Sequence, residues 1–176
     1  QITTLEQSET TDCEFYMNLC KTYGLSMKVY SNKIVVYSRT EYKKKDAVCT
    51  IYPHQILSWS WSQNLAGTYT GGEYTYTQPK TNKEIKVTLG TADRLLKMTG
   101  KADDEADAQK KLQAGIDEAN HGATKLSLTV KGKLLVSCQN VEVSLGALSG
   151  KYFTDTTTHN LGSSGYTTDL ELSLIE

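Results

Sequence analysis

The last third of the chain constrains the fold most. Between Thr124 and Ile175, runs of alternating apolar and polar residues are cut at near-regular spacing by glycine. Leu126, Leu128 and Val130 alternate with Lys125, Ser127 and Thr129, and Lys131-Gly132 then turns the chain. The pattern predicts further strands over Leu134–Ser137, Val141–Leu145, Lys151–Thr158 and Tyr166–Ile175. Gly146, Gly150 and Gly162-Ser163-Ser164-Gly165 separate them. A period of two buries one face of a strand and wets the other. Many short strands with glycine turns read as an antiparallel barrel or sandwich.

Upstream, two helices interrupt the strands. Thr11-Asp12-Cys13-Glu14 has the capping-box spacing, and Phe15, Tyr16, Leu19, Cys20 and Tyr23 follow at helical period. Gly24 supplies the stop, so a helix is expected over Asp12–Tyr23. Leu25–Tyr30 and Ile34–Tyr37, joined at Ser31-Asn32, predict a β-hairpin. Lys43-Lys44-Lys45 reads as a solvated loop and Ala47–Tyr52 as a strand ended by Pro53. Strands are expected over Ile56–Trp61, Gly67–Thr77 and Glu84–Leu89, with a turn at Gln78–Asn82. Gly71-Gly72 within a strand reads as a bulge or sharp bend. A second helix is expected over Asp103–Asn120. Its acidic start suits the helix dipole, and Ala108, Leu112, Ile116 and Ala119 form a narrow inward stripe. Gly115 costs that helix about 1 kcal/mol relative to Ala, and small residues on the stripe let it lie close on a sheet.

The expected class is α+β, mainly β. Residues 1–56 form a small helix-plus-hairpin unit. Residues 57–176 form an antiparallel tube-like barrel with one inserted helix.

Composition excludes several functions. The 176 residues carry a formal net charge of -1, which gives no long-range field for nucleic acid or an anionic membrane. No apolar run approaches the roughly 18 residues of a membrane span. Eleven Tyr stand against two Phe and two Trp, and about one residue in eight is Thr, both types that favour half-buried sheet surface. The chain opens on Gln1 with no apolar targeting stretch, and is expected to be a portion of something longer.

A search for chemistry names no catalytic, cofactor-binding or metal-binding residue. Cys13, Cys20, Cys49 and Cys138 and the three His residues lack zinc-site spacing, and buried thiols in a reducing compartment are expected. No nucleophile elbow or phosphate loop occurs; Gly100-Lys101 lacks the upstream glycine. Asp117 and His121, four apart at a helix end, read as a capping pair. Trp59-Ser60-Trp61 with Tyr69, Tyr74 and Tyr76 is the one aromatic cluster. Trp59 and Trp61 share a strand face, so they form either a carbohydrate-stacking platform or a barrel core with a Tyr-lined packing surface.

One stretch carries a resemblance. Gly150-Lys151-Tyr152-Phe153, His159-Asn160-Leu161 and Gly165-Tyr166-Thr167-Thr168-Asp169-Leu170-Glu171-Leu172 resemble the ending of the phage late control protein D family. These are contractile-tail baseplate hub proteins, related to the hub portion of type VI secretion spike proteins. Ala123–Leu128 and Glu9–Leu25 are similar to other segments of the family. His121 stands where Arg is frequent, and Cys13 and Cys20 replace aliphatic positions. The resemblance implies a structural, non-enzymatic subunit of a phage or prophage tail-like particle. It implies a homotrimer joining tail tube to spike, at the virion baseplate, assembled in the bacterial host cytoplasm. No cofactor, membrane or specific nucleic-acid partner is implied. A preceding barrel is expected to lie outside this sequence. The motif residues are expected to determine the fold: Gly150 and Gly165 by turn geometry, Tyr152 and Tyr166 by packing, Thr167-Thr168 by continuing an edge into the last strand. Lys151, Leu170 and Leu172 complete the motif, and His159 is expected to be a satisfied barrel histidine.

Overall fold

The computed structural model describes residues 6–78, 82–163 and 165–175. The fold is α+β and mainly β, and its residues separate by internal packing into two compact units. Unit 1 takes residues 1–38 and 68–119; unit 2 takes 39–67 and 120–176. The linear division after residue 56 and this interleaved grouping are different partitions. The physical reason is that the chain leaves unit 1 after the hairpin, returns at Thr68, and leaves again at the end of the second long helix.

Unit 1 begins with helix α1 (Asp12–Thr22). Its capping box forms: the Glu14 N–H donates to Thr11 Oγ1 at 3.4 Å, and the Thr11 N–H donates to the Glu14 carboxylate at 3.1 Å. The Thr11 N–H, and the Thr11 hydroxyl that donates to the same carboxylate at 3.0 Å, hold the Glu14 carboxyl below its ordinary range. Gly24, at φ +68°, ends the turn after α1, and its Cα faces Ala114. Strands β1 (Leu25–Tyr30) and β2 (Lys33–Ser38) form the expected hairpin, with Ser31 in the left-handed region at φ 54°.

The rest of unit 1 is a three-stranded sheet covered by helix α3 (Glu105–Asn120). Strand β5 (Gly71–Thr77) is central, antiparallel to β6 (Glu84–Gly90) and parallel to β7 (Leu95–Thr99). The alternation of the sequence missed β7 because Leu95-Leu96 breaks it. Part of the expected turn between β5 and β6, Pro79-Lys80-Thr81, lies outside the described residues. Tyr74, Tyr76 and Val87 pack with Ala102, Ala108, Leu112 and Ile116. Gly71 and Gly72 pair in register with Gly90 and Leu89, so the glycine pair makes no bulge. A Cβ on Gly72 would sit 2.6 Å from Leu112 Cδ1, and one on Gly71 would sit 2.4 Å from the Thr91 carbonyl oxygen. Close approach of helix and backbone requires them. Gly115 has the same cause, since its Cβ would meet Met98 Sδ at 2.5 Å. Asp107 and Lys111, one turn apart, form a 2.6 Å ion pair at 16% and 13% exposure, and Lys111 also donates to the Lys101 carbonyl. Burial alone would raise the Asp107 carboxyl; the Lys111 ammonium and the Asp103 N–H outweigh it and lower it.

Unit 2 is one six-stranded, curled half-barrel sheet in the order β3-β9-β10-β11-β8-β4. Its strands are β3 (Thr50–Ile51), β4 (Ile56–Gln63), β8 (Thr124–Lys131), β9 (Asn140–Val143), β10 (Gly150–Gly162) and β11 (Gly165–Leu174). One face carries the core: Ile51, Leu126, Leu128, Val130, Val141, Val143, Tyr152, Leu170 and Leu172, joined by Leu135. Burying each aliphatic side chain stabilises by about 1.5–3 kcal/mol.

Three expectations change here. Leu134–Ser137 is not a strand. Its Leu135 N–H turns back to the Lys133 carbonyl, and the Val136 N–H is taken by Gln139 Oε1. Only Leu135 is buried, while Leu134 is 86% exposed. The Lys43–Lys45 run is not all loop, because Lys43 closes a short helix α2 (Arg39–Lys43), and Lys45 lies 3.5 Å from the centre of the Tyr42 ring. The strand expected over Ala47–Tyr52 shortens to β3.

Asn140 explains why α2 holds. Its Nδ2 donates to the carbonyls of Tyr42, Lys43 and Lys45 at 2.8, 3.1 and 2.6 Å. Asn140 is 2% exposed and on β9, almost 100 residues downstream of the carbonyls it caps. Replacing it removes a buried donor from three part-buried carbonyls, at about 1–3 kcal/mol. Asn140→Ala is expected to lower unfolding stability by that amount, read as a shift in the urea midpoint at unchanged slope. Asn140→Asp, which aims a carboxylate at three carbonyls, is expected to cost more.

Candidate functional site: the motif cluster and the open sheet edges

The motif residues lie on β10 and β11 and gather in two places. At the start of β10, Tyr152 is buried and its hydroxyl donates to the Leu148 carbonyl at 2.9 Å, with burial raising the phenol pKa. Lys151 pairs with Glu142 of β9 in the ladder. Gly150 opens the strand without a positive φ, and a Cβ there would make ordinary contact with Leu174 at 3.5 Å. Turn geometry is therefore not what Gly150 supplies. Gly165, at φ +106°, does sit in a conformation that favours glycine. Ser164 of that turn lies outside the described residues.

The second place is the far end of the β10–β11 hairpin. His159 pairs with Thr168 and Leu161 with Tyr166. Tyr166 Oη lies 2.8 Å from His159 Nδ1 and 3.3 Å from the Lys133 carbonyl. Thr168 Oγ1 donates to that carbonyl at 2.9 Å and accepts from the Lys133 N–H at 3.2 Å. The Tyr166 ring lies against Gly132, where a Cβ would come within 2.0 Å of Cδ1. Lys133 Nζ then reaches the Thr50 carbonyl at 3.1 Å. The cluster thus fastens residues 132–135 across the hairpin and toward β3. Thr167 and Thr168 do not continue an edge, because β11 is an inner strand between β10 and β8. Leu170 and Leu172 point into the core.

Gly132 and Lys133 were missed as members of this cluster. The signal available was Gly132 after a strand, read as a turn alone.

The aromatic residues are divided between the two units. Tyr74 and Tyr76 are buried in the core of unit 1, whereas Trp59 and Trp61 lie on β4 of unit 2. Trp59 pairs with Leu128 and Trp61 with Leu126, so both indoles project from the core-side face of the sheet. They are 54% and 43% exposed, not barrel core, because β4 is the last strand and nothing in the described sheet lies beyond it. Leu57 occupies a β-bulge and is 52% exposed. No residue of β4 is charged. The sheet opens a second time along β10. Strand β9 covers Gly150–Phe153 only, and no strand among the described residues flanks Thr156–Gly162 opposite β11. That segment also lacks charge, and Leu161 is 87% exposed.

Asp117 and His121 do not pair. Asp117 accepts from Gln113 Nε2 at 2.8 Å, and His121 Nε2 lies 2.9 Å from Asp155 Oδ1. The competing partner is a half-buried strand carboxylate that helix spacing could not reveal. Among the described residues no group of three or more His, Cys, Asp or Glu is placed to hold a metal ion. None of their helices is long and apolar enough to cross a membrane. None of the four cysteines forms a disulfide; Cys20 is buried and Cys13 exposed.

No family model and no curated protein matches this sequence. Solved structures do. A tail protein from Neisseria meningitidis MC58 superposes with TM-score 0.71 at 15% identity, over 91% of this chain and 54% of its own. The 43 kDa tail protein of prophage MuSo2 from Shewanella oneidensis gives TM-score 0.73 at 13% identity, over 92% and 53%. Prophage tail protein gp18 from Listeria monocytogenes EGD-e gives 0.59 at 11%, over 92% and 52%. The fold is that of phage and prophage tail proteins, and the chain spans about half the length of these three.

The Tyr166 stack on Gly132 sets a test. Gly132→Ala must displace an aromatic ring, an overpacking cost of about 1–3 kcal/mol. Gly132→Ala combined with Tyr166→Leu is expected to recover part of that loss in denaturant unfolding, because the clashing ring is gone.

Proposed function

We propose that this chain is a structural, non-enzymatic subunit of a contractile phage tail or prophage tail-like particle. Within it the chain serves the baseplate hub that joins tail tube to spike. The tail-protein fold and the motif on β10–β11 support this reading. The observation that carries it is the pair of uncharged open edges on one sheet, β4 and the far half of β10. Proteins that work alone blunt such edges with charge, proline or cover. An edge left uncharged, with two half-exposed indoles beside it, suits pairing with another subunit. Copies arranged head to tail would extend the sheet around a lumen, as a ring-forming, threefold assembly requires.

Near-neutral charge fits a wall that lets DNA pass without gripping it. The partners on this reading are further copies of the chain and the tube and spike proteins, in the virion.

The half exposure of Trp59 and Trp61 also serves a second reading, a carbohydrate- or cell-wall-binding module. One experiment separates the two. The Trp59→Lys, Trp61→Lys double variant is introduced into the full-length gene and particles are counted by electron microscopy. The hub reading expects at least a tenfold drop in assembled tails, with circular dichroism of the variant unchanged. Normal particle numbers together with lost binding to cell-wall glycan would overturn the hub reading in favour of the module.

A further inference from the structure

The two open edges of unit 2 belong to one sheet, and its ladders fix how they are related. Three antiparallel ladders join β10, β11, β8 and β4, so β4 runs opposite to β10. Residues directly across a ladder share a face. One row runs Thr157, Leu170, Leu128, Trp59, and Leu170 and Leu128 are core residues. Trp59 and Trp61 therefore share the core-side face with Thr157, His159 and Leu161. Ser58, Ser60 and Ser62 share the other face with Thr156, Thr158 and Asn160.

The two edges also match in length and charge. Strand β4 has eight residues, all exposed after Ile56, and the free stretch of β10 is Thr156–Gly162. Neither stretch holds an Asp, Glu, Lys or Arg, so nothing repels one from the other. An open edge presents a row of unpaired N–H and C=O groups, which another strand satisfies. The chain itself carries a strand edge of the right length to do so.

We propose that neighbouring copies join by an antiparallel ladder between β4 of one and Thr156–Gly162 of the next, with Trp61 opposite Thr157 and Trp59 opposite His159. This rests on the hub reading and adds to it the polarity, the faces and the register of the contact. Rotation about an axis along the strands preserves strand direction, so β4 meets a β10 that runs the other way. It preserves the faces too, so the indoles meet the core-side row of β10. The register follows from a block. With rows kept level, Trp61 would fall against Thr154, whose N–H and carbonyl are already bonded to Gln139 and Cys138. Sliding β4 by one pleat clears the block without exchanging faces, and strands closing into a tube need such a stagger. The slide brings the Trp61 indole N–H opposite Thr157, whose Oγ1 is buried without a hydrogen-bond partner among the described residues. It also sets Ser62, Ser60 and Ser58 opposite Thr156, Thr158 and Asn160, polar against polar.

Cysteine pairing tests this, with disulfides read in assembled tails and in the purified full-length protein. Directly opposite residues of an antiparallel pair carry Cβ atoms about 4.5–5.5 Å apart, close enough to be bridged after a small shift. Ser60→Cys with Thr158→Cys is expected to link chains at least tenfold more than either single variant, which also controls for the four native cysteines. Ser60→Cys with Thr157→Cys, which places the thiols on opposite faces, should stay at the level of the single variants. Linkage by Ser60→Cys alone would mean β4 against β4 about a twofold axis, and would overturn the ladder. Stronger linkage of Ser60→Cys with Thr156→Cys would overturn its register. Tails that contain the chain but show no link between positions 60 and 158 would overturn the ladder and leave the hub reading standing. The same link in the purified protein, with the chain absent from tails, would support the ladder and overturn the hub reading.

Discussion

The ladder between β10 and β11 carries unit 2. It runs from Tyr152–Leu174 to Gly162–Gly165, and each flank of the hairpin supports a further strand. Leu170 and Leu172 on β11 meet Leu128 and Leu126 on β8, and Tyr152 on β10 meets Val141 on β9. Without this hairpin β8 and β9 have no common neighbour, and the apolar face has no continuous surface on which to close. Three further features hang from the same two strands. The bulge turns Asp155 toward His121 and Ser173. The hairpin end fastens Gly132 and Lys133. The far half of β10 is left as an open edge.

A sheet that bears its core on one face must still dispose of its two ends. In unit 2 they are disposed of differently. The β3 end is two residues long and is followed by Pro53, a short and blunt terminus. The β4 end is eight residues long, uncharged and flanked by indoles. That edge therefore carries two half-exposed tryptophans and none of the charge or proline that blunts the other end. Unit 1 solves a different problem by close packing. Gly71, Gly72 and Gly115 remove side chains so that β5, β7 and α3 approach within contact of backbone and methyl groups.

Legibility in the sequence followed the range of the interaction. The capping box at Thr11 and Glu14, the Ser31-Asn32 hairpin and the alternation of Leu126, Leu128 and Val130 were readable because each is local, within four residues or a fixed period. The strand read at Leu134–Ser137 failed because the Leu135 and Val136 N–H groups are taken by the Lys133 carbonyl and Gln139 Oε1. The Asp117–His121 pair failed for the same reason: a carboxylate 34 positions downstream of His121 took the imidazole. The pairing of Asn140 with α2 left no trace in the spacing at all.

The sequence by itself determined the class, the long helices, most strands and the motif that resembles tail hub proteins, since propensity, period and turn chemistry act along the chain. Tertiary structure decided which strands are neighbours, and therefore which are edges. That is why the aromatic residues Trp59, Trp61, Tyr74 and Tyr76, close in sequence and alike in chemistry, part ways. Two are sealed in a core beneath α3, and two lie half exposed on the last strand of a sheet. Burial depends on what lies across the ladder, and no local rule specifies that.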